Sequence, residues 1–220
     1  MNAVAAAGAE IVALCDVHES RTGKARMRYP KAPFYVDFRR LIDQKGLDAV
    51  VIGTPDHNHA IATMAALKAG LHVFCEKPLT HTVHEARVVT EMARKQKRVT
   101  QMGTQIHAGE NYRRVVELIQ TKAIGDVDEV HVWCRVSYGG VDRPKEKPPV
   151  PKDLHWDIWL GPAPERPYHP AYVPFFLAAV VGFRRRRAGR HGMPLYRSSL
   201  LGLEAESSDT RRSPRHQSPS

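Results

Sequence analysis

Four short clusters in this 220-residue chain bring together residue types that do chemistry. Asp16 closes the apolar run Ile11-Val12-Ala13-Leu14-Cys15, and Thr54-Pro55-Asp56-His57-Asn58-His59 follows the apolar run Ala49-Val50-Val51-Ile52. Glu76-Lys77-Pro78 follows Val73-Phe74-Cys75, and Gln101-Met102-Gly103-Thr104-Gln105 forms the fourth cluster. Lys77 stands between an acid and a proline, where burial and Glu76 would fix its ammonium. Thr54-Pro55 ends a strand rigidly and lets the following backbone N–H groups face a bound molecule. His57 with His59, and His81 with His84, also have the spacing of metal ligands, but no carboxylate cluster supports them.

The elements that must carry these clusters alternate. Apolar runs at 11–15, 49–52, 73–75 and 99–102 read as strands, the first two continuous enough to be buried on both faces. Helical patterns fall between them. A basic helix over about 19–29 stops at Pro30; a second is capped by Asp37 and ends before Gly46; an Ala-rich third runs from 60 to 69 before Gly70. A fourth opens at His81 or Thr82 and reaches about Lys97, and a further helix covers about 110–121. Strands separated by helices require right-handed crossovers and a parallel sheet, with helices on both faces. Such sheets bind ligands outside the carboxyl ends of their strands, and all four clusters sit at such ends. Beyond Gly125, Val130, Val132, Cys134 and Val136 alternate with polar residues, which predicts a half-buried strand opening a second layer.

Composition narrows the function class. No apolar run approaches the ~18 residues of a membrane span, and the first residues lack the regions of a signal peptide. The apolar fraction of 42% with 25% charge predicts a soluble globular chain. Cys15, Cys75 and Cys134 are odd in number and lack a Cys-x-x-Cys pair, the pattern of reduced cytoplasmic thiols. The net charge of +10 suggests a nucleic-acid partner until it is located. Residues 1–174 carry 24 basic and 20 acidic side chains, whereas 175–220 carry nine arginines, no lysine and three acids. The excess therefore belongs to a tail with no recognisable binding fold, and nucleic-acid binding and a histidine-based metal enzyme stand as the alternatives.

In this order, Ala13-Leu14-Cys15-Asp16, Thr54-Pro55-Asp56-His57-Asn58-His59, Cys75-Glu76-Lys77-Pro78-Leu79-Thr80, Gln101-Met102-Gly103-Thr104-Gln105 and Trp156-Asp157-Ile158-Trp159-Leu160-Gly161-Pro162 resemble the Gfo/Idh/MocA family of nicotinamide-dependent oxidoreductases. The resemblance covers residues 1–174, and Glu-Lys-Pro after a short strand is its most specific part. It implies a Rossmann-like α/β domain followed by an α+β substrate domain. The implied activity is hydride transfer between NAD and a hydroxyl of a sugar or polyol. Lys77 would be the catalytic residue, near the nicotinamide and the reacting hydroxyl. Asp16, Thr54, Pro55, His57, His59, Glu76, Lys77, Pro78 and Gln105 would line the cofactor. An acid at the position of Asp16 can accept both hydrogen bonds of a ribose diol and repels a 2′-phosphate, which favours NAD over NADP. The resemblance further implies a cis Lys77–Pro78 bond, a small-molecule substrate without nucleic acid or membrane, and a homo-oligomeric parent protein.

Two departures from the family pattern set further expectations. The family's first strand and its Gly-x-Gly-x-x-Gly loop should precede Asp16, yet Gly8 is the only glycine there. The expectation is a sheet lacking its first strand and a diphosphate lacking its backbone cradle. After Phe175 the family's Asp- and His-bearing segment is replaced by an Arg-rich run. Read one base out of frame, Val180-Val181-Gly182-Phe183 becomes Trp-Trp-Asp-Phe, as the family would have it. The expected organisation is an incomplete NAD-binding domain over 1–124, the start of a substrate domain over 125–175, and a frameshifted, disordered tail over 176–220. The expected activity of the chain as it stands is that of an inactive fragment, with an export signal upstream of Met1 left open.

Overall fold

The computed structural model describes residues 2–104, 109–131, 133 and 144–173. The described residues form two compact units, one of 2–104 with 144–173 and another within 109–133. Most of the strand expected over 130–136, the residue Gln105 and the Arg-rich tail lie outside the described residues.

In the larger unit the order is α1 (Asn2–Ala6), β1 (Leu14–Cys15), α2 (Gly23–Arg28), β2 (Phe34–Tyr35), α3 (Phe38–Ile42), β3 (Ala49–Ile52), α4 (His59–Lys68), β4 (His72–Glu76), α5 (Val83–Gln96) and β5 (Thr100–Gly103). The smaller unit carries α6 (Glu110–Gln120), and α7 (Trp156–Leu160) returns to the larger one. The units are thus drawn differently from the sequence boundaries at 124 and 175. Residues 153–173 join the first unit because an aromatic cluster of their own packs on Val17, just beyond β1.

Every ladder is parallel. β3, β4 and β5 form one sheet in that order, with Ile52 opposite Cys75 and Cys75 opposite Met102. β1 pairs with β2 as a separate two-stranded sheet, Leu14 opposite Phe34. β2 gave no readable signal because two residues of strand carry no periodicity. The break between the sheets also explains why β1 is shorter and barer than expected. It has a partner on one side only, and Cys15 is exposed. Burial among protein atoms, then the charges of Asp16 and Asp37, still push the Cys15 thiol up to about 12.

The core explains the direction in which the strands face. Val73 and Cys75 alternate along β4 and point into a cluster with Ile52, Ala62, Ala66, Leu67, Leu71 and Val89. Ala62, Ala66 and Leu67 come from α4, whose small side chains let it lie close on the sheet while α5 packs beside it. Phe38 and Ile42 of α3 reach the same cluster. The opposite face is only partly sealed, for Val51 remains 48% exposed. Helix α5 is set by a reciprocal cap: the Glu85 N–H donates to Thr82 Oγ1 at 3.1 Å, and the Thr82 N–H donates to Glu85 Oε2 at 2.8 Å.

This cap fixes where the chain turns from the Lys77 loop into α5. Thr82→Ala should cost ~1 kcal/mol of stability. Urea unfolding should show a lower midpoint at unchanged slope.

Candidate active site

Within each sheet the strands run parallel, so their carboxyl ends define where a site can be built. β1 ends at Asp16, β3 at Thr54-Pro55, β4 at Glu76-Lys77-Pro78 and β5 at Gly103. Two devices hold three of these ends.

The first device is a strap. The His155 N–H donates to the Val17 carbonyl at 2.9 Å, and the Glu19 N–H donates to the Asp153 carbonyl at 2.9 Å. His18 and Leu154 form an antiparallel bridge between them. Further along the strap, Asn58 Nδ2 donates to the Trp159 carbonyl at 2.8 Å and His57 Nε2 lies 2.9 Å from the same oxygen. One segment of nine residues, 153–161, therefore binds the chain after β1 with one end and the chain after β3 with the other. Stacking stiffens it: Trp156 lies on Trp159 with centroids 4.6 Å apart, and His57 meets the edge of Trp159 at 5.2 Å. Gly161 turns the strap with φ +49°, and a Cβ there would fall on the Asn58 side-chain oxygen.

The second device is His59, the first residue of α4. Its Nε2 lies 2.7 Å from the Thr54 carbonyl oxygen and its Nδ1 lies 2.6 Å from the Pro78 carbonyl oxygen. It ties the end of β3 to the end of β4.

Placed on this frame, the expected site residues divide. Asp16 is exposed, and its Oδ1 accepts from the His18 N–H at 2.9 Å, which bends the chain toward the strap. Thr54 and Pro55 are half-buried at the strand end. Lys77 is exposed rather than buried, and among the described residues no ion pair holds it. Glu76 does not turn to it. Its carboxylate lies over Gly103, where a Cβ would come within 2.9 Å of it. The Lys77–Pro78 bond is cis.

His57 and His59 face inward, toward backbone carbonyls. Burial pushes His57 below its ordinary value, so it is neutral and carries its proton on Nε2, toward Trp159. Among the described residues no group of three His, Cys, Asp or Glu side chains could hold a metal ion. Asn58 and the strap were not read as parts of the site. The tryptophan pair was visible in the sequence, but its partner on the β3 end was not, since 101 positions separate Asn58 from Trp159.

Residues 1–104 match the family model GFO_IDH_MocA, described as an oxidoreductase family with an NAD-binding Rossmann fold. An inositol 2-dehydrogenase from Salmonella typhimurium is 35% identical over 126 residues, 56% of this chain and 38% of that protein. An inositol 2-dehydrogenase from Saccharopolyspora erythraea is 34% identical over 127 residues, again 38% of its length. The matched part of the chain thus spans well under half of these curated relatives. A crystal structure of myo-inositol 2-dehydrogenase from Lactobacillus plantarum superposes with a TM-score of 0.52 at 26% identity, over 55% of this chain and 36% of that one.

Gly161→Ala tests the strap. The methyl group must displace Asn58 and strain a positive φ, an expected loss of about 1–3 kcal/mol. Gly53→Ala, where a Cβ meets nothing within 4 Å, should change stability by less than ~0.5 kcal/mol. Thermal unfolding of the two variants side by side reads the difference.

Proposed function

We propose that the strand ends of residues 1–104, which match the model of an oxidoreductase family with an NAD-binding Rossmann fold, form the cofactor side of a Gfo/Idh/MocA-type dehydrogenase. Its substrate is a secondary hydroxyl of a sugar or polyol. The observation that carries the reading is the pairing of Thr54 and the Lys77-Pro78 loop through His59 at the carboxyl end of a parallel sheet. The inositol dehydrogenases among the relatives support a polyol as the substrate class.

The residues present suit the two ends of a dinucleotide. Asp16 leaves one carboxylate oxygen beyond its turn bond and is open to solvent, as a ribose partner must be. Its negative charge disfavours a 2′-phosphate, so NAD is preferred over NADP. Thr54-Pro55 and Lys77 stand at the ends of the neighbouring strands β3 and β4. The middle of the cofactor is less well served, for the 220 residues contain no Gly-x-Gly-x-x-Gly sequence to cradle a diphosphate.

When bound, the nicotinamide supplies the acceptor for the hydride leaving the carbinol carbon. The Lys77 ammonium, free of Glu76, can donate to the carbinol oxygen and hold it as its proton departs. The chain itself should turn over no polyol. Neither nearby histidine can serve Lys77 as a second proton carrier, because His57 and His59 are committed to carbonyls.

NADH fluorescence titration of the 220-residue chain should give no saturable binding in the micromolar range, and saturation there would overturn the inactive-chain reading. With NAD+ at millimolar concentration, backbone NMR shifts should gather at residues 16–18, 54–56 and 76–78. NADP+ should shift 16–18 less, and Asp16→Ser should erase that difference. Shifts confined to other elements would overturn the cofactor reading.

A further inference from the structure

Two histidines, two positions apart, are charged differently by what surrounds them. His57 places one ring nitrogen on one carbonyl, a contact that a neutral imidazole satisfies. His59 places both nitrogens on carbonyl oxygens, at 2.6 and 2.7 Å, and is 1% exposed. A neutral ring has a single N–H, so one of those contacts would set lone pair against lone pair. Only the imidazolium donates to both.

We propose that His59 is a positioning residue, a buried imidazolium that fastens the Thr54 and Pro78 carbonyls together and thereby fixes where the Lys77 backbone leaves β4. The inference deepens the functional reading above, on which the importance of Lys77 rests. The clamp itself is independent of that reading.

The surroundings weigh on both sides. Removal from water opposes the charge, and so does the positive N-terminal end of α4, on whose first turn the ring sits. The Cys75 side chain on β4, the Pro78 carbonyl and the Thr54 carbonyl favour it. Of the charged neighbours on the same loop, Glu76 lies over Gly103 and Lys77 points to solvent. The balance raises His59 from 6.5 to about 9. A histidine raised on folding stabilises the fold fully below its unfolded value of 6.5, and that contribution drains away as pH climbs through about 9.

Long-range nitrogen–proton NMR of the histidine rings in the full chain tests the charge, with His59→Gln assigning the signal. Both His59 nitrogens should be protonated at pH 7.5 and titrate near 9. An unprotonated ring nitrogen at pH 7.5 would overturn the proposal. Amide exchange in His59→Gln, whose single amide nitrogen replaces the two ring nitrogens that reach separate carbonyls, tests the positioning. Residues 76–80 should exchange about tenfold faster while the β3–β4 ladder changes less than about twofold. Equal acceleration across the sheet would make His59 merely structural and overturn the positioning role. Neither measurement uses a cofactor. A normal ring signature with misplaced NAD+ shifts fails the functional reading alone, and the reverse fails the clamp alone.

Discussion

Backbone carbonyls at the ends of parallel strands have no strand partner beyond them, and the placement of this site depends on how two such regions are satisfied. Thr54 and Pro78 end neighbouring strands with their oxygens close enough for one imidazole ring to bridge. Trp159, on the strap, gives its oxygen to Asn58 and His57 from the end of β3. A buried carbonyl such as that of Trp159, left without a donor, costs about 1–3 kcal/mol, so Asn58 and His57 are held to their posts by the group they satisfy. The loops that carry Thr54 and Lys77 inherit that order.

Charge is distributed with the same logic. His57 is kept neutral because burial outweighs the single carbonyl it serves, whereas His59 is kept charged because two carbonyls and Cys75 outweigh the burial. Residues of one type, two positions apart in the chain, thus set opposite pH limits. His57 favours the fold above its ordinary value of 6.5, and His59 favours it below. Lys77, by contrast, is left in water. Its ammonium is not consumed by Glu76, whose carboxylate is turned away over Gly103.

The parallel α/β plan was legible because its signals are local and repeated. β3 was read to the residue, and β4, β5, α4, α5 and α6 to within two residues, since apolar runs and capping residues mark their ends directly. The cis Lys77–Pro78 bond came with the family resemblance. Less was legible where pairing decides the outcome. Ile11 to Ala13 have the apolar character of a strand, but only Leu14 and Cys15 find a partner, in β2. Ala49 and Val51 read as buried on both faces, yet the second face of their sheet is largely open.

The sequence by itself determined which chemistry is available and at which strand ends it sits. Hydrophobic periodicity places the ends, and the residues beyond each run are then fixed in place along the chain. Tertiary structure alone decided the work of each side chain. Whether a histidine faces a cofactor or a carbonyl, and whether a lysine is paired or free, depends on groups brought near by folding from as far as 102 positions away. Charge state and hydrogen-bond partner are properties of a surrounding, and a surrounding exists only in three dimensions.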